Sequence, residues 1–232
     1  MNNKPLYFRF RQGVCTGNAS LKDLEHAKPL DLVNDTSSNR VGLLLLHGFK
    51  QTPFCMHKIS SELKDEVYRL MVPVLPGHDM SFHDMDIGDA DDWLSHVHDC
   101  YQELHSTCDR ILIVGLSMGA VLASLIEAEF GSAIDQLVLL APAFYPPRAL
   151  KLAPLMVPFF SFFGKLYFKN GMGLVRKLNA YDLYFSHSPI SGYLQLHKLC
   201  MKGREVLPSL TCPIDFFSAK HDKVLMYGGV KK

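Results

Sequence analysis

Residues 111–119 read Ile-Leu-Ile-Val-Gly-Leu-Ser-Met-Gly, an apolar run that ends in the pattern Gly-x-Ser-x-Gly. The apolar run predicts a strand covered on both faces of a sheet, and residues 118–130 predict the helix that follows. A serine on the sharp turn between such a strand and helix fits a nucleophile elbow, in which a strained backbone exposes the hydroxyl group. Ser117 is therefore the candidate nucleophile, and the alternative is a plain strand–turn–helix with an incidental serine.

Strands and helices alternate on both sides of this motif. Residues 41–46 (Val-Gly-Leu-Leu-Leu-Leu) predict another buried strand, and Thr52-Pro53 predicts the start of a helix that runs to about Leu63. The other predicted elements are a possible strand at 7–10, strands near 68–74, 136–140 and 214–217, a helix capped by Asp89 that reaches Leu104, and a helix at 192–206. Alternating strands and helices predict an α/β protein with a mostly parallel sheet and right-handed crossovers.

The alternation stops at Pro142. Residues 143–190 are rich in Pro, Phe and Tyr, and apolar residues from Leu152 to Tyr167 recur at helical spacing, although Pro158 should kink that helix. We interpret this segment as an inserted helical cap in a single domain of residues 1–232, whose core comprises about 1–142 and 191–232.

Composition is ordinary for a globular protein. The 232 residues are 48% hydrophobic and 20% charged, the net charge is +1, and no basic block points to nucleic acid. The N-terminus lacks the apolar core of a signal peptide, and the longest uncharged apolar run, 152–164, is too short to span a bilayer. We therefore expect a cytoplasmic protein, with its six cysteines as free thiols.

His47-Gly48-Phe49 follows the strand at 41–46. An oxyanion hole needs two backbone N–H groups directed at the substrate carbonyl oxygen. One is expected from Met118, the residue after the nucleophile, and the other from Phe49 in this loop. His47 itself is expected to orient the loop rather than to transfer protons.

Four motifs resemble the α/β-hydrolase superfamily, specifically its carboxylesterase and monoacylglycerol-lipase-like branch. They are Leu-Leu-Leu-His-Gly-Phe at 44–49, Leu-Pro-Gly-His at 75–78, Gly-Leu-Ser-Met-Gly at 115–119 and Leu-Leu-Ala-Pro-Ala at 139–143, and the resemblance covers about residues 40–225. It implies the α/β-hydrolase fold, with helices on both faces of the sheet. It also implies ester hydrolysis by a triad of serine, carboxylate and histidine. The serine at the nucleophile position argues against the dehalogenases and epoxide hydrolases of this superfamily, whose nucleophile is Asp.

Asp222, just after the last predicted strand, matches the position of the family's triad carboxylate, although it could also be an ordinary turn residue. Only ten residues follow it and none is His, whereas the family carries a further strand, a loop with the triad His and a final helix. The sequence thus resembles a truncated or frameshifted hydrolase, with no triad His after Asp222. We expect the chain as printed to be nearly inactive and to expose the strand at 214–217. The alternative function is that of a catalytically inactive hydrolase-fold protein.

The expected activity is hydrolysis of carboxylic esters with medium or long acyl chains, through an acyl-enzyme intermediate. Phe159, Phe160 and Phe163 either belong to the core or line an acyl-chain pocket, and the exposed side of the cap could instead form a lid that touches lipid. Neither a metal nor an organic cofactor is expected, since His78-Asp79 and His83-Asp84 match no zinc motif. The expected partner is a small-molecule ester, without nucleic acid and without stable membrane insertion.

Overall fold

A six-stranded sheet forms the centre of the molecule in the computed structural model, which describes residues 25–37, 39–78, 89–145, 152–161, 167–169 and 187–219. The strands within these residues are β1 (Leu30–Val33), β2 (Val41–Leu46), β3 (Arg69–Val72), β4 (Arg110–Leu116), β5 (Gln136–Leu140), β6 (Tyr167–Lys169), β7 (His187–Pro189) and β8 (Ile214–Phe217). The sheet has the order β1-β3-β2-β4-β5-β8. Only β1 pairs antiparallel with its neighbour, which confirms the mostly parallel sheet.

Five α-helices accompany these strands in the part of the chain that the structure describes. They are α1 (His57–Leu63), α2 (Ala90–His105), α3 (Met118–Phe130), α4 (Ala153–Ser161) and α5 (Ile190–Val206), and short 3-10 turns lie at Pro53–Met56, Gly131–Ala133 and Leu207–Ser209. The helix predicted from Thr52 therefore begins as a 3-10 turn, and the Thr52 side chain makes no capping hydrogen bond. Proline suits this first turn because its missing N–H would have no helical acceptor there.

Helices cover both faces of the sheet, as the family resemblance implies. Alternate residues of β2 point in opposite directions. Leu44 and Leu46 join a large core cluster with residues of α2, α3 and α5, such as Trp93. Leu43 and Leu45 join a smaller cluster with Met56 and the residues around α1. Because β2 is buried on both faces, its sequence is a continuous apolar run.

Helix α2 begins directly after Asp89, as the sequence analysis predicted. The Asp89 carboxylate accepts hydrogen bonds from the N–H groups of Asp91 and Asp92, and the Asp92 carboxylate accepts one from the Asp89 N–H, which completes a capping box. The predicted core-facing stripe of this helix is buried, and it consists of Trp93, Val97, Cys100, Tyr101 and Leu104.

The carboxyl ends of the parallel strands meet at one edge of the sheet. Leu46 lies opposite Gly115, and Leu140 lies between Leu116 and Phe217. In open α/β sheets this edge is where ligands bind. Within the described residues β8 is the outermost strand on its side, and all four of its residues are exposed.

The predicted cap contributes α4 and a two-stranded antiparallel ribbon of β6 and β7. Pro158 lies inside α4, as the sequence predicted. The ribbon was not predicted, because strands of three residues are too short to show a periodic pattern. The possible strand at 7–10 lies outside the described residues.

Candidate active site

Ser117 occupies the turn between β4 and α3 in a strained backbone conformation, with φ 55° and ψ −108°. Neighbouring backbone groups hold this turn on both sides. The Ser117 N–H donates to the Leu140 carbonyl at 2.9 Å, and the Ser117 carbonyl accepts from the Ala143 N–H at 3.1 Å. A non-glycine residue at positive φ persists only where its surroundings enforce it, and such strain is concentrated at functional sites.

The two glycines of the motif provide space. A Cβ on Gly115 would lie 2.5 Å from the Ala120 N atom, and one on Gly119 would lie 2.2 Å from the Leu46 carbonyl oxygen. Real Cβ atoms do not approach other atoms so closely. Helix α3 therefore packs directly against the backbone of the strands that position the serine, and only glycine fits at either place.

The loop after β2 lies against the candidate nucleophile. A Cβ built on Gly48 would be 3.1 Å from the Ser117 Cβ. The Gly48 N–H donates to the Gln51 side-chain oxygen at 2.8 Å, and the Gln51 N–H donates back to the Gly48 carbonyl at 3.1 Å. Because the Gly48 N–H is already hydrogen-bonded to Gln51, the next candidate oxyanion donor along this turn is the Phe49 N–H.

Met118 begins α3, so its amide has no acceptor within the helix and lies at the positive end of the helix dipole. The structure thus brings Ser117, Met118 and the loop containing Phe49 to one corner of the sheet edge. Two amides beside a serine are the elements from which an oxyanion hole is built.

His47 is a fully buried part of this loop. Its Nε2 accepts a hydrogen bond from the Leu75 N–H at 3.1 Å, so Nδ1 carries the proton and faces the Gly48 carbonyl at 3.0 Å. Burial, together with nearby His78, lowers the pKa of His47 to about 3. The ring is therefore neutral and connects the loop after β2 to residue 75, which agrees with the predicted orienting role.

Rings of His78, Phe49 and Trp93 pack together beside the loop. Their centroids are 5.8 Å apart for Phe49 and His78, 6.0 Å for Phe49 and Trp93, and 5.8 Å for His78 and Trp93. The Trp93 indole N–H donates to the Pro76 carbonyl at 3.0 Å. Burial lowers the pKa of His78 to about 4, so this ring is also neutral near pH 7.

Sequence reasoning missed three residues that shape this loop. Gln51 occupies the Gly48 amide, and Lys50 donates from Nζ to the Tyr193 hydroxyl at 3.0 Å. Lys50 and Tyr193 are 143 positions apart, and no motif relates them. Only the packing of α5 against the helices α2 and α3 brings them together.

The other predicted site residues belong to α4 or lie outside the described residues. Phe159, on α4, has 65% of its surface exposed, and Phe160 belongs to the same helix. Phe163 and Asp222 lie outside the described residues. In the described part of the chain there is no cluster of three or more potential metal ligands, and no helix is long and apolar enough to cross a membrane.

Comparison with known proteins agrees with this geometry. The chain is 28% identical over 190 residues to a thermostable monoacylglycerol lipase of Bacillus sp. (strain H-257), an alignment that covers 81% of this chain and 73% of the relative. A solved structure of the metagenome-derived lipolytic enzymes LipS and LipT matches with a TM-score of 0.73 and 21% identity, over 89% of this chain and 81% of that one. The monoacylglycerol lipase of Paleococcus ferrophilus matches with a TM-score of 0.68 and 13% identity, over 88% of this chain and 81% of that one.

The sequence model of the Alpha/beta hydrolase family matches residues 43–216, which include most of β2, the elbow at Ser117 and most of β8. This match extends over more than half of the chain. The elbow, the neighbouring amides and the sheet order all agree with it, and the chain belongs to the alpha/beta hydrolase family.

Proposed function

We propose that the chain is a serine hydrolase that cleaves carboxylic esters through an acyl-enzyme intermediate on Ser117. The observation that supports this most strongly is the φ of 55° at Ser117, between a buried strand and the N-terminus of α3. Such strain is typical of a serine on a nucleophile elbow. The relatives described as lipases and lipolytic enzymes support the same chemistry.

In the proposed reaction the Ser117 hydroxyl oxygen attacks the ester carbonyl carbon, and its proton passes to an imidazole base. The N–H groups of Phe49 and Met118 stabilise the negative charge that develops on the carbonyl oxygen. The alcohol leaves with the proton held by the base, and water then hydrolyses the acyl-serine. In this scheme Asp222 orients the base and stabilises its protonated form.

Within the described part of the chain, no histidine near Ser117 suits the role of the imidazole base. His47 and His78 do not suit the role, because both are buried and each ring is hydrogen-bonded to the backbone. Triad order places the base after the carboxylate. Free imidazole in the buffer can serve as such a base, so we expect it to accelerate turnover by the 232 residues.

The proposed substrates are small-molecule esters with medium or long acyl chains. The apolar residues of the cap support this preference, with Phe159, Phe160 and Phe163 proposed to line the acyl-chain pocket. Each buried CH₂ group of the chain would contribute roughly 0.8 kcal/mol to binding. The exposed apolar side of α4, which includes Leu155, is proposed to contact the lipid from which such substrates come.

The test is hydrolysis of nitrophenyl acetate, butyrate and decanoate by the protein and by its Ser117→Ala variant, each with and without imidazole. The variant in the same buffer is the necessary control, because imidazole cleaves activated esters by itself. We expect a rate above that of the variant, which increases with imidazole and is highest for decanoate in kcat/KM. Equal rates for the two proteins in every buffer would refute the proposed function, and a strict preference for acetate would refute the proposed chain length.

A further inference from the structure

Lys50 has an unusual backbone for its residue type. Its φ of 63° lies in the left-handed region that favours glycine, and this conformation costs a lysine about 1–2 kcal/mol. The residue is nevertheless only 8% exposed, although lysine is among the residues least often buried. Because a lysine in this conformation is costly, we expect its side chain to make a contact that glycine could not make.

That contact is with Tyr193, at the start of α5. The Lys50 ammonium donates to the Tyr193 hydroxyl at 3.0 Å and lies 5.4 Å from the centre of its ring. The same ring packs edge-on against Phe49, with centroids 5.4 Å apart. Two consecutive residues of the loop that borders Ser117 are therefore held by one tyrosine of a helix far away in the sequence.

We propose that Lys50 and Tyr193 are positioning residues that hold the Phe49 N–H in the oxyanion hole. The inference rests on the proposed function. Oxyanion-hole donors act only if they lie about 2.7–3.1 Å from the developing charge, and a displacement of about 1 Å can cost on the order of 100-fold in rate. Because the Phe49 amide would bind the transition state more strongly than the substrate, loosening the loop should lower kcat and leave KM nearly unchanged.

Two substitutions separate this role from simple packing. Tyr193→Phe keeps the ring against Phe49 and removes only the hydroxyl. Lys50→Gly relieves the backbone strain and removes the ammonium group. If the Lys50 side chain had no role, this substitution would leave the stability of the protein unchanged or increase it. Lys202→Met is the matched control. Like Lys50, Lys202 is a hydrogen-bonded lysine, but it lies on α5 and donates to the exposed Asp91 carboxylate at 2.5 Å.

The fluorescence of Trp93 reports on the loop independently of catalysis. It is the only tryptophan of the chain, it is fully buried, and its ring packs on Phe49. Acrylamide quenching of Trp93 should increase in Tyr193→Phe and in Lys50→Gly, measured below the melting temperature of each variant, and should not change in Lys202→Met.

The kinetic test measures the Ser117-dependent hydrolysis of nitrophenyl butyrate in imidazole buffer. We expect kcat to fall by about 10–100-fold in Lys50→Gly and in Tyr193→Phe, with KM within about 2-fold of that of the parent protein. Unchanged kcat in Lys50→Gly and Tyr193→Phe would overturn the proposal. If the parent protein shows no Ser117-dependent hydrolysis, the proposed function fails, and the test then rests on acrylamide quenching. Increased quenching of Trp93 in the two variants supports the contact of Tyr193 with the loop, and unchanged quenching refutes it.

Discussion

Gly119 is the residue at which the elbow leaves least room. A side chain there would collide with the backbone of β2, since an ideal Cβ would lie 2.2 Å from the Leu46 carbonyl oxygen and 2.7 Å from that of His47. Both obstacles are backbone atoms, so they cannot move aside as a flexible side chain would. Helix α3 would have to shift instead, and with it the Met118 amide.

We predict that Gly119→Ala destabilises the fold by roughly 3 kcal/mol and removes Ser117-dependent hydrolysis. Gly131→Ala is the control at the other end of α3. Gly131 has a φ of 53°, but a Cβ there would meet no atom closer than 3.9 Å, so the expected cost is only about 1–2 kcal/mol with activity retained. Urea unfolding and ester hydrolysis of both variants would check this. Similar losses of activity in the two would contradict the account of the elbow.

His47 links stability to pH. Because the pKa of His47 is lowered from 6.5 to about 3, and that of His78 to about 4, the unfolded chain binds more protons than the folded chain below pH 6.5. The free energy of unfolding should therefore fall as the pH falls from 6.5 towards 4, by about 1 kcal/mol per pH unit for each ring.

Replacing His47 by Gln keeps an acceptor for the Leu75 N–H but removes the titrating ring, so the pH dependence should become shallower by about 1 kcal/mol per pH unit. Urea unfolding of the parent protein and of His47→Gln across this pH range measures the difference. An unaltered slope in His47→Gln would show that His47 is not held neutral by burial.

At the scale of elements, a buried carboxylate joins α3 to the segment that leads into β8. One oxygen of Glu127 accepts hydrogen bonds from the Thr211 N–H at 2.8 Å, the Thr211 hydroxyl at 2.9 Å and the Cys212 N–H at 2.9 Å. The residue is fully buried. The helix that follows Ser117 thus also positions β8, the strand that precedes Asp222 in the sequence.

Glu127→Ala should lower the free energy of unfolding by about 3 kcal/mol, because it leaves the partly buried N–H groups of Thr211 and Cys212 without their acceptor and opens a cavity. Glu127→Gln retains an amide oxygen at the same place and should cost clearly less. Urea unfolding of the two variants tests the difference. A Gln variant as unstable as the Ala variant would show that the negative charge, rather than the set of accepted bonds, stabilises this junction.

At the scale of the whole molecule, elements with strong local signals were predictable. The bounds of α3, β5 and β8 agree with the sequence prediction, because apolar runs and the glycines of the elbow mark them. The 3-10 turn before α1 and the short ribbon of β6 and β7 were not predictable, since neither has a distinctive period.

The candidate site divides in the same way. Phe49 lies in a short motif directly after β2, and Ser117 and Met118 lie in one directly after β4. Because β2 and β4 are parallel neighbours, the two motifs lie at the same edge of the sheet. The bond between Lys50 and Tyr193 depends on how α5 packs beside the loop, and the left-handed backbone of Lys50 contradicts its residue preference. Such tertiary contacts have no local sequence signal.

The most direct test of the central claim is covalent labelling of Ser117 by a fluorophosphonate probe in imidazole buffer, followed by mass spectrometry of the peptides. The account predicts a single phosphonylated residue, Ser117, and no labelling of Ser117→Ala, because Ser117 is the serine with a positive φ among the described residues and lies beside two candidate oxyanion donors. Labelling at another residue, or labelling that persists in Ser117→Ala, would contradict it.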